Sequence, residues 1–135
     1  MIGRGISYPI ALESALKIKE VSYIHAEGFA GGELKHGPIA LCEKGTPYII
    51  LTPDDETYEA TLSNAMEIKA RGGIIIGISK KKNEVFDYHF PVSDSGIFTI
   101  IPQIAIIQLL AYLLAVKRGC DHDKPKNLAK SVTVK

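Results

Sequence analysis

The stretch PIALESALKIKEVSYIHAEGFAGGELKHGP, residues 9–38, decides the fold. Its first half predicts a helix from Ile10 to His25, because Pro9 suits a first helical turn, where a missing N–H needs no partner. Projected at about 100° per residue, apolar side chains cover almost every side of this helix, which is typical of a buried helix. Three glycines then break the pattern, and Glu33–His36 predicts a short helical turn.

A narrow charged stripe interrupts the apolar surface of this helix. Glu13, Lys17 and Glu20 follow one another at spacings of i, i+4 and i+7, so they lie on one side. A buried carboxylate is costly unless it is paired or lines a polar pocket. The sequence alone leaves two interpretations open, a pocket wall and an ordinary ion pair between Glu13 and Lys17.

The rest of the chain alternates between strands and helices. Apolar runs without alternation predict two-sided buried strands, and a helix lies between the two longest runs. Strands are predicted at residues 1–2, 47–52, 74–78, 89–91 and 98–100. This order is typical of a doubly wound α/β domain, that is, a three-layer αβα sandwich with a mostly parallel central sheet.

Two loops of this predicted domain could bind anions. Gly3-Arg4-Gly5 precedes the long helix and could hold a phosphate at its N-terminus, or could simply be a tight turn between strand and helix. Lys80–Lys82 follows a buried strand and is interpreted as a solvated loop, with anion binding as the alternative.

The last long helix is predicted from Gln103 to Arg118, after Pro102. Its run IAIIQLLAYLLAV is apolar enough to be considered as a membrane helix. Pro102 and two glutamines interrupt the run, which leaves it below the roughly 20 residues that span a bilayer. We therefore expect a core helix that also packs against a partner subunit. Residues 1–119 form the predicted domain, and residues 120–135 form a polar tail.

Composition excludes several classes of function. The 135 residues suit one domain, and the net charge of +1 gives no electrostatic footprint for nucleic acid or an acidic membrane. Two cysteines without a CxxC motif are typical of reduced thiols, and they offer no metal-ligand spacing. The N-terminus has no signal-peptide pattern, so we expect a cytoplasmic location.

Several titratable residues suggest chemistry next to a carbonyl. A glutamate in a partly apolar pocket is a usable general base, and a lysine among apolar residues, as Lys130 is, can form a Schiff base. His36, between glycine-rich turns, could move protons. Together these groups suit aldose–ketose isomerisation of a sugar. His36 could equally cap the short helix, and Lys130 could be an ordinary lysine of the tail.

The segments YPIALE, LKIKEVSYIHAE, GELKHGP and NLAKSVTV resemble the glucosamine-6-phosphate synthase family, also called glutamine–fructose-6-phosphate aminotransferase (isomerising). The resemblance covers essentially the whole chain and is to the second of the family's two sugar-isomerase (SIS) domains. It implies a flavodoxin-like sandwich with a central parallel sheet. It also implies that the substrate is a sugar phosphate.

The resemblance further implies a role for each matching residue. Glu20 would move a proton between C1 and C2 of fructose 6-phosphate, while Glu13 and Lys17 would hold the sugar and the base. His36 would assist ring opening and would reach the site from a neighbouring subunit. Lys130 would form the Schiff base, with the tail folded over the site as a lid. Lys35 and Ala129 are predicted as further substrate contacts.

The family pattern also predicts partners. No metal or organic cofactor is implied, and we expect a homodimer that works with an upstream SIS domain and a glutaminase domain that supplies ammonia. Gly3-Arg4-Gly5 is a poor substitute for the phosphate loop of the upstream domain, so we expect little synthase activity from this chain by itself. A non-catalytic module that senses phosphosugars, or a dimerisation module, remains as an alternative.

Overall fold

A five-stranded sheet forms the middle layer of the computed structural model, which describes residues 1–127. All neighbouring strands are parallel, and their order is β2-β1-β3-β4-β5. The strands are β1 (Ile2–Gly3), β2 (Phe29–Ala30), β3 (Pro47–Thr52), β4 (Ile74–Ser79) and β5 (Tyr88–Pro91). The helices are α1 (Ser7–Ser22), α2 (Tyr58–Lys69) and α3 (Ile100–Lys117), with two 3₁₀ helices at Gly31–His36 and Pro38–Leu41.

Helices cover both faces of the sheet, which confirms the predicted three-layer sandwich. One core joins α1 and α3 to the sheet, and the other joins α2 and the first 3₁₀ helix to its opposite face. The side chains of β3 alternate between these cores, since Ile49 and Leu51 point to α1 and α3 while Ile50 points to α2. Burial on both faces explains why β3 and β4 are continuous apolar runs in the sequence.

Helix α1 differs from its prediction in its bounds and in its burial. It begins at Ser7 and ends at Ser22, so Pro9 is its third residue. The expectation that nearly all its sides are buried is wrong, because Leu12 and Leu16 are 45% and 42% exposed. Only the side that faces the sheet and α3 is buried, and all its residues except Ile18 are alanine or serine: Ser7, Ala11, Ser14, Ala15, Ile18 and Ser22.

One short strand was missed from the sequence and another was wrongly predicted. Strand β2 lies between glycines and has too few residues to show a period, yet it pairs with β1 through Phe29 and Ile2. The strand predicted at 98–100 is instead the turn that leads into α3. Asp94 causes this turn, because its side chain accepts hydrogen bonds from the Gly96 N–H and the Thr99 hydroxyl.

Helix α3, predicted as a core helix that also packs against a partner subunit, packs against α1 along one side only. Gln103, Ile107, Ala111 and Ala115 are its buried residues. Within residues 1–127 one helical segment, 96–117, is long and apolar enough to cross a membrane, with a mean hydropathy of 2.1 over its best window. The inference from the sequence that this apolar run is too short to span a bilayer is therefore wrong. Of that window, 22% is buried inside the domain.

Candidate functional site

The charged stripe, Glu13–Lys17–Glu20, lies on the outer side of α1. The Lys17 ammonium donates a hydrogen bond to Glu20 Oε2 at 2.6 Å and lies 3.5 Å from Glu13 Oε1. The three side chains are partly exposed, and Glu20 is the least exposed of them at 25%. The stripe is thus a three-membered ion-pair network in which the i,i+3 contact is shorter than the expected i,i+4 contact.

Electrostatics within the stripe keep Lys17 charged. The hydrogen bond from Lys17 to Glu20 raises the pKa of Lys17, and the charge of Glu13 adds to this effect. Lys17 therefore stays protonated at neutral pH and fixes one oxygen of the Glu20 carboxylate. Within residues 1–127, the hydrogen bonds of Glu20 involve only Oε2.

A groove of about 300 Å³ lies beside the stripe, between α1 and α3. Lys17 forms part of one wall, and His122, from the segment after α3, forms part of the other. The His122 ring packs edge-on against Tyr112, with 4.7 Å between ring centroids. The groove is lined by Lys17, Val21, Gln108, Ala111, Tyr112 and His122. Lys17 is the member of the stripe that lines this concave surface, which favours the interpretation as a pocket wall.

The segment after α3 runs back over the C-terminal end of α1. The Cys120 N–H donates to the Ala115 carbonyl, and the Lys126 N–H donates to the Tyr23 hydroxyl. Tyr23 has a left-handed backbone (φ 55°), which is uncommon for a residue other than glycine and marks the end of α1. No sequence signal pointed to Tyr23. The predicted Ala129 and Lys130 lie outside the described residues, 1–127.

Lys35 and His36 lie in the first 3₁₀ helix, on the α2 face of the sheet. Buried Leu34 anchors this turn in the α2 core, and the Lys35 ammonium lies 2.7 Å from Glu67 Oε1 on α2. Burial is the largest single effect on the Glu67 carboxyl and by itself would raise its pKa. The hydrogen bond and charge of Lys35, together with Asn64 and Arg71, outweigh burial, so the pKa is lowered. Within one chain the structure does not bring Lys35 or His36 to the stripe, which lies on the α1 side.

A second cavity, of about 340 Å³, opens at the carboxyl ends of β1, β2 and β3. We refer to it as the switch-point crevice, because the chain leaves β1 towards α1 on one face of the sheet and leaves β3 towards α2 on the other. The crevice is lined by Arg4, Gly5, Tyr8, Ala30, Gly31, Gly32, Glu56, Thr57 and Ala60. It includes the Gly3-Arg4-Gly5 turn that the sequence singled out.

The turn after β1 is a tight turn between strand and helix, which is one of the two interpretations that the sequence left open. A Cβ atom on Gly3 would lie 2.2 Å from the Ser7 carbonyl oxygen, and Gly5 has a φ of +51°. Arg4 Nε donates a 3.0 Å hydrogen bond to Oδ1 of Asn64, a buried residue of α2. The turn is therefore fixed to both helices that flank the crevice.

The lysine run after β4 lies in a loop tied down by ion pairs. The Lys81 ammonium lies 2.7 Å from Asp54, and the Lys80 ammonium lies 3.5 Å from Asp54 and 3.4 Å from Asp94. The hydrogen bond from Lys81 lowers the pKa of Asp54. These two lysines are neutralised by the loops after β3 and β5. Among residues 1–127 there is no cluster of side chains suited to hold a metal ion.

The fold and these surfaces define the class of the protein: the chain belongs to the SIS domain family, whose model matches residues 1–113. Among individual proteins, the chain is 51% identical to the glutamine–fructose-6-phosphate aminotransferase (isomerizing) of Methanosarcina acetivorans. It is 53% identical to the protein of the same name from Thermococcus kodakarensis. Both matches cover 98% of this chain, but only 22% and 23% of those relatives.

Comparison with solved structures identifies relatives of the same kind. The C-terminal domain of the glucosamine-fructose-6-phosphate aminotransferase of Francisella tularensis superposes with a TM-score of 0.83 at 42% identity, covering 91% of this chain and 36% of that one. A glucosamine-6-phosphate deaminase of Thermotoga maritima reaches a TM-score of 0.76 at 28% identity, covering 97% and 39%. The resemblance to the glucosamine-6-phosphate synthase family, recognised in the sequence, is confirmed.

Proposed function

We propose that this chain supplies the proton-transfer side of a sugar-phosphate isomerase and aminotransferase site of the glucosamine-6-phosphate synthase type. The observation that carries the proposal is the contact of Lys17 with Glu20 beside the groove between α1 and α3. A carboxylate held by a lysine next to a concave surface is suited to general base catalysis. The names of the relatives supply the substrate class, a fructose phosphate and its amino product.

In this proposal Glu20 moves a proton between C1 and C2 of fructose 6-phosphate. Lys17 orients the Glu20 carboxylate through Oε2 and stays charged, so that Oε1 is directed to the substrate. Glu13 and the remaining donors of Lys17 hold hydroxyl groups of the sugar. A positioned general base contributes about 10²–10⁴-fold to a rate, which makes Glu20 the residue whose loss we expect to matter most.

The other proposed roles belong to residues outside the stripe. Lys130 adds through its amine to the C2 carbonyl of the sugar and releases water, which forms the Schiff base, and Ala129 contacts the sugar. His36 assists ring opening from a second copy of the chain, since its own 3₁₀ helix lies on the opposite face of the sheet from the stripe. Lys35 stays a predicted substrate contact. Ammonia comes from a glutaminase domain of the complete enzyme, in the cytoplasm.

A segment exchange tests this function. This chain replaces the matching segment of the Methanosarcina acetivorans relative, and formation of glucosamine 6-phosphate from fructose 6-phosphate and glutamine is measured. We expect the exchanged enzyme to be active and Glu20→Gln to lower its kcat by about 10²–10⁴-fold. Glu33→Gln, on the exposed surface of the first 3₁₀ helix, is the matched control and should leave kcat unchanged.

Two outcomes would contradict the proposal. The first is a Glu20→Gln variant of the exchanged enzyme that is as active as the exchanged enzyme itself. The other is a failure of borohydride to trap a sugar on Lys130, which would favour the non-catalytic phosphosugar-sensing module. The 135-residue chain by itself is assayed in parallel with fructose 6-phosphate and ammonium, where we expect little turnover. Turnover equal to the exchanged enzyme would show that an upstream SIS domain is dispensable.

A second candidate function, dimerisation, is favoured by the outer surface of α1 and α3. Leu12, Leu109 and Leu113 are 45%, 58% and 52% exposed, and large apolar side chains exposed on two neighbouring helices are typical of an interface. We propose that a second copy of the chain covers it. Sedimentation velocity should show a dimer that Leu113→Glu dissociates. A monomer at high protein concentration would contradict both the dimer and the placement of His36 in a neighbouring site.

A further inference from the structure

We propose that Glu67 is a positioning residue, which holds Lys35 and thereby fixes the direction in which the first 3₁₀ helix presents His36 to a second copy of the chain. Glu67 itself does not touch the sugar. The inference rests on the ring-opening role proposed for His36. It adds the residue, on a different helix, that keeps this histidine in place.

His36 lies at the exposed end of the first 3₁₀ helix, Gly31–His36. Exposure suits a side chain that acts on another copy of the chain, but solvent does not hold a side chain in one direction. A group that acts on a substrate has to be held within about 0.5 Å of its productive position. The backbone on either side of His36 must therefore be fixed by contacts with the rest of the domain.

The first 3₁₀ helix has little rigidity of its own. It has six residues, no side chain caps its N-terminus, and the hydrogen bonds of a 3₁₀ helix have poor geometry. Gly31 and Gly32 form its first turn, and Gly37 follows it with a φ of 142°, a conformation that favours glycine. Contacts from elsewhere in the domain must supply the rigidity.

Helix α2 supplies these contacts along the whole 3₁₀ helix. Gly31 lies against Asn64, since a Cβ atom on this glycine would be 2.5 Å from Asn64 Oδ1. Leu34, 1% exposed, is buried in the α2 core. The Lys35 ammonium, next to His36 in the chain, lies 2.7 Å from Glu67 Oε1. Without this last contact, the end of the helix that carries His36 would be anchored only through Leu34.

The Glu67 carboxylate is the fixed partner of this ion pair. Its side chain is 21% exposed, whereas that of Lys35 is 66% exposed. Because the pKa of Glu67 is lowered, the carboxylate stays charged at neutral pH and keeps attracting the lysine. The more exposed lysine is therefore the group that is held.

Glu67 is in turn fixed by its place on α2. Asn64 lies one helical turn before it on the same side, and this buried amide accepts a hydrogen bond from Arg4 Nε. One side of α2 therefore contacts both the turn after β1 and the 3₁₀ helix that carries His36. The position of His36 is set by the packed domain and not by its own segment.

A double-mutant cycle in the exchanged enzyme tests this role, with formation of glucosamine 6-phosphate as the assay. Glu67→Met removes both acceptor oxygens, and kcat/KM should fall about tenfold or more because a charge-assisted hydrogen bond is lost. In a His36→Asn variant the same substitution should cause no further loss, because Glu67 acts through His36. A merely structural role would lower kcat/KM by the same factor in both.

Two further variants serve as comparisons. Glu67→Gln keeps one acceptor oxygen and should lose less activity than Glu67→Met, and it decides the matter if Glu67→Met fails to fold. Glu59→Met, on the exposed surface of the same helix, is the matched control and should leave kcat/KM unchanged.

¹⁵N relaxation of the 135-residue chain measures the 3₁₀ helix directly. Glu67→Met should lower the order parameters of the amides of Lys35, His36 and Gly37, and Glu59→Met should not. This measurement requires no catalysis, so it does not depend on the proposed function.

Three results would overturn the role of Glu67 and leave the proposed function intact. They are full activity of Glu67→Met, an equal loss with and without His36, and order parameters that do not change. A His36→Asn variant as active as the exchanged enzyme would instead overturn the ring-opening role of His36, and the positioning role of Glu67 with it.

Discussion

The stripe on α1 and the switch-point crevice both place a positive and a negative side chain beside a concave surface, but they are constructed differently. The stripe takes its residues from two turns of one helix, and its groups are held by mutual ion pairs that solvent reaches. The crevice takes Arg4 and Asn64 from positions 60 residues apart, and its key hydrogen bond ends on a buried amide. Loss of one residue from the locally built stripe should therefore leave the fold nearly as stable as before. Loss of a residue from the crevice, which is built by tertiary packing, should also lower the stability of the fold.

The largest expected effect separates the two glutamates of the stripe. In the exchanged enzyme, Glu20→Gln should lower kcat by about 10²–10⁴-fold, as expected for a general base. Glu13→Gln should lower it by only about tenfold, because Glu13 is more exposed and lies farther from Lys17, at 3.5 Å. Steady-state kinetics checks this order. Equal losses would show that the stripe acts by its net charge and not through a single base.

The next effect concerns stability at the crevice. Gly31→Ala places a Cβ atom 2.5 Å from Asn64 Oδ1, so the Arg4–Asn64 contact must shift, and we expect a loss of about 1–3 kcal/mol in the free energy of unfolding. Gly32→Ala is the matched control, since it has room for a Cβ atom, and it should change stability by less than about 1 kcal/mol. Urea unfolding measures both. Similar losses at the two glycines would mean that the crevice wall is not fixed by Arg4.

A smaller effect is expected when the stripe loses its lysine. Lys17→Met should change the free energy of unfolding by less than about 1 kcal/mol, because partly exposed ion pairs contribute little. Lys19→Met, on the exposed surface of the same helix but outside the stripe, is the control. Urea unfolding of both variants tests the comparison. A loss that exceeds that of Gly31→Ala would reverse the contrast between the two regions.

The smallest effect is a dependence on pH that only the stripe should show. The pKa of Lys17 is raised in the folded state, mainly by its hydrogen bond to Glu20, so its contribution to stability is complete below the ordinary lysine pKa of about 10.4. The contribution is lost as the pH rises through the higher pKa of the folded state. The stability difference between the parent and Lys17→Met should therefore shrink above about pH 10.

Gly32→Ala provides the contrast for this measurement, because it changes a residue of the crevice without removing a charge. The stability difference between the parent and Gly32→Ala should stay constant over the same range of pH. Unfolding curves at each pH test both expectations. A Lys17→Met difference that does not change with pH would contradict the proposed charge state of the stripe.

Much of the fold could be predicted because local physics and tertiary environment agree there. Strand β3 was placed with its observed bounds, since a six-residue apolar run can be satisfied only between two cores. Strand β2 could not be predicted, because its two residues acquire their pairing only from β1. The burial of α1 was overestimated, because periodicity shows which residues share a side but not which side a neighbouring element covers.

The same distinction applies to the two candidate sites. Helical spacing by itself places Glu13, Lys17 and Glu20 together, so the stripe was predictable. The hydrogen bond from the Lys126 N–H to the Tyr23 hydroxyl joins positions 103 residues apart, and no local sequence pattern predicts it. His122 and Tyr112, which complete the groove, were missed for the same reason.

The sequence by itself determined the α/β class, the family resemblance and the charged stripe, because each of these depends on spacing within short segments. The tertiary structure decided the rest. It placed Lys35 and His36 on the opposite face of the sheet from the stripe, left one side of α1 exposed, and assembled the switch-point crevice from three separate loops. Those outcomes depend on which strand lies next to which, and strand order is set by packing of the whole domain and not by any single segment.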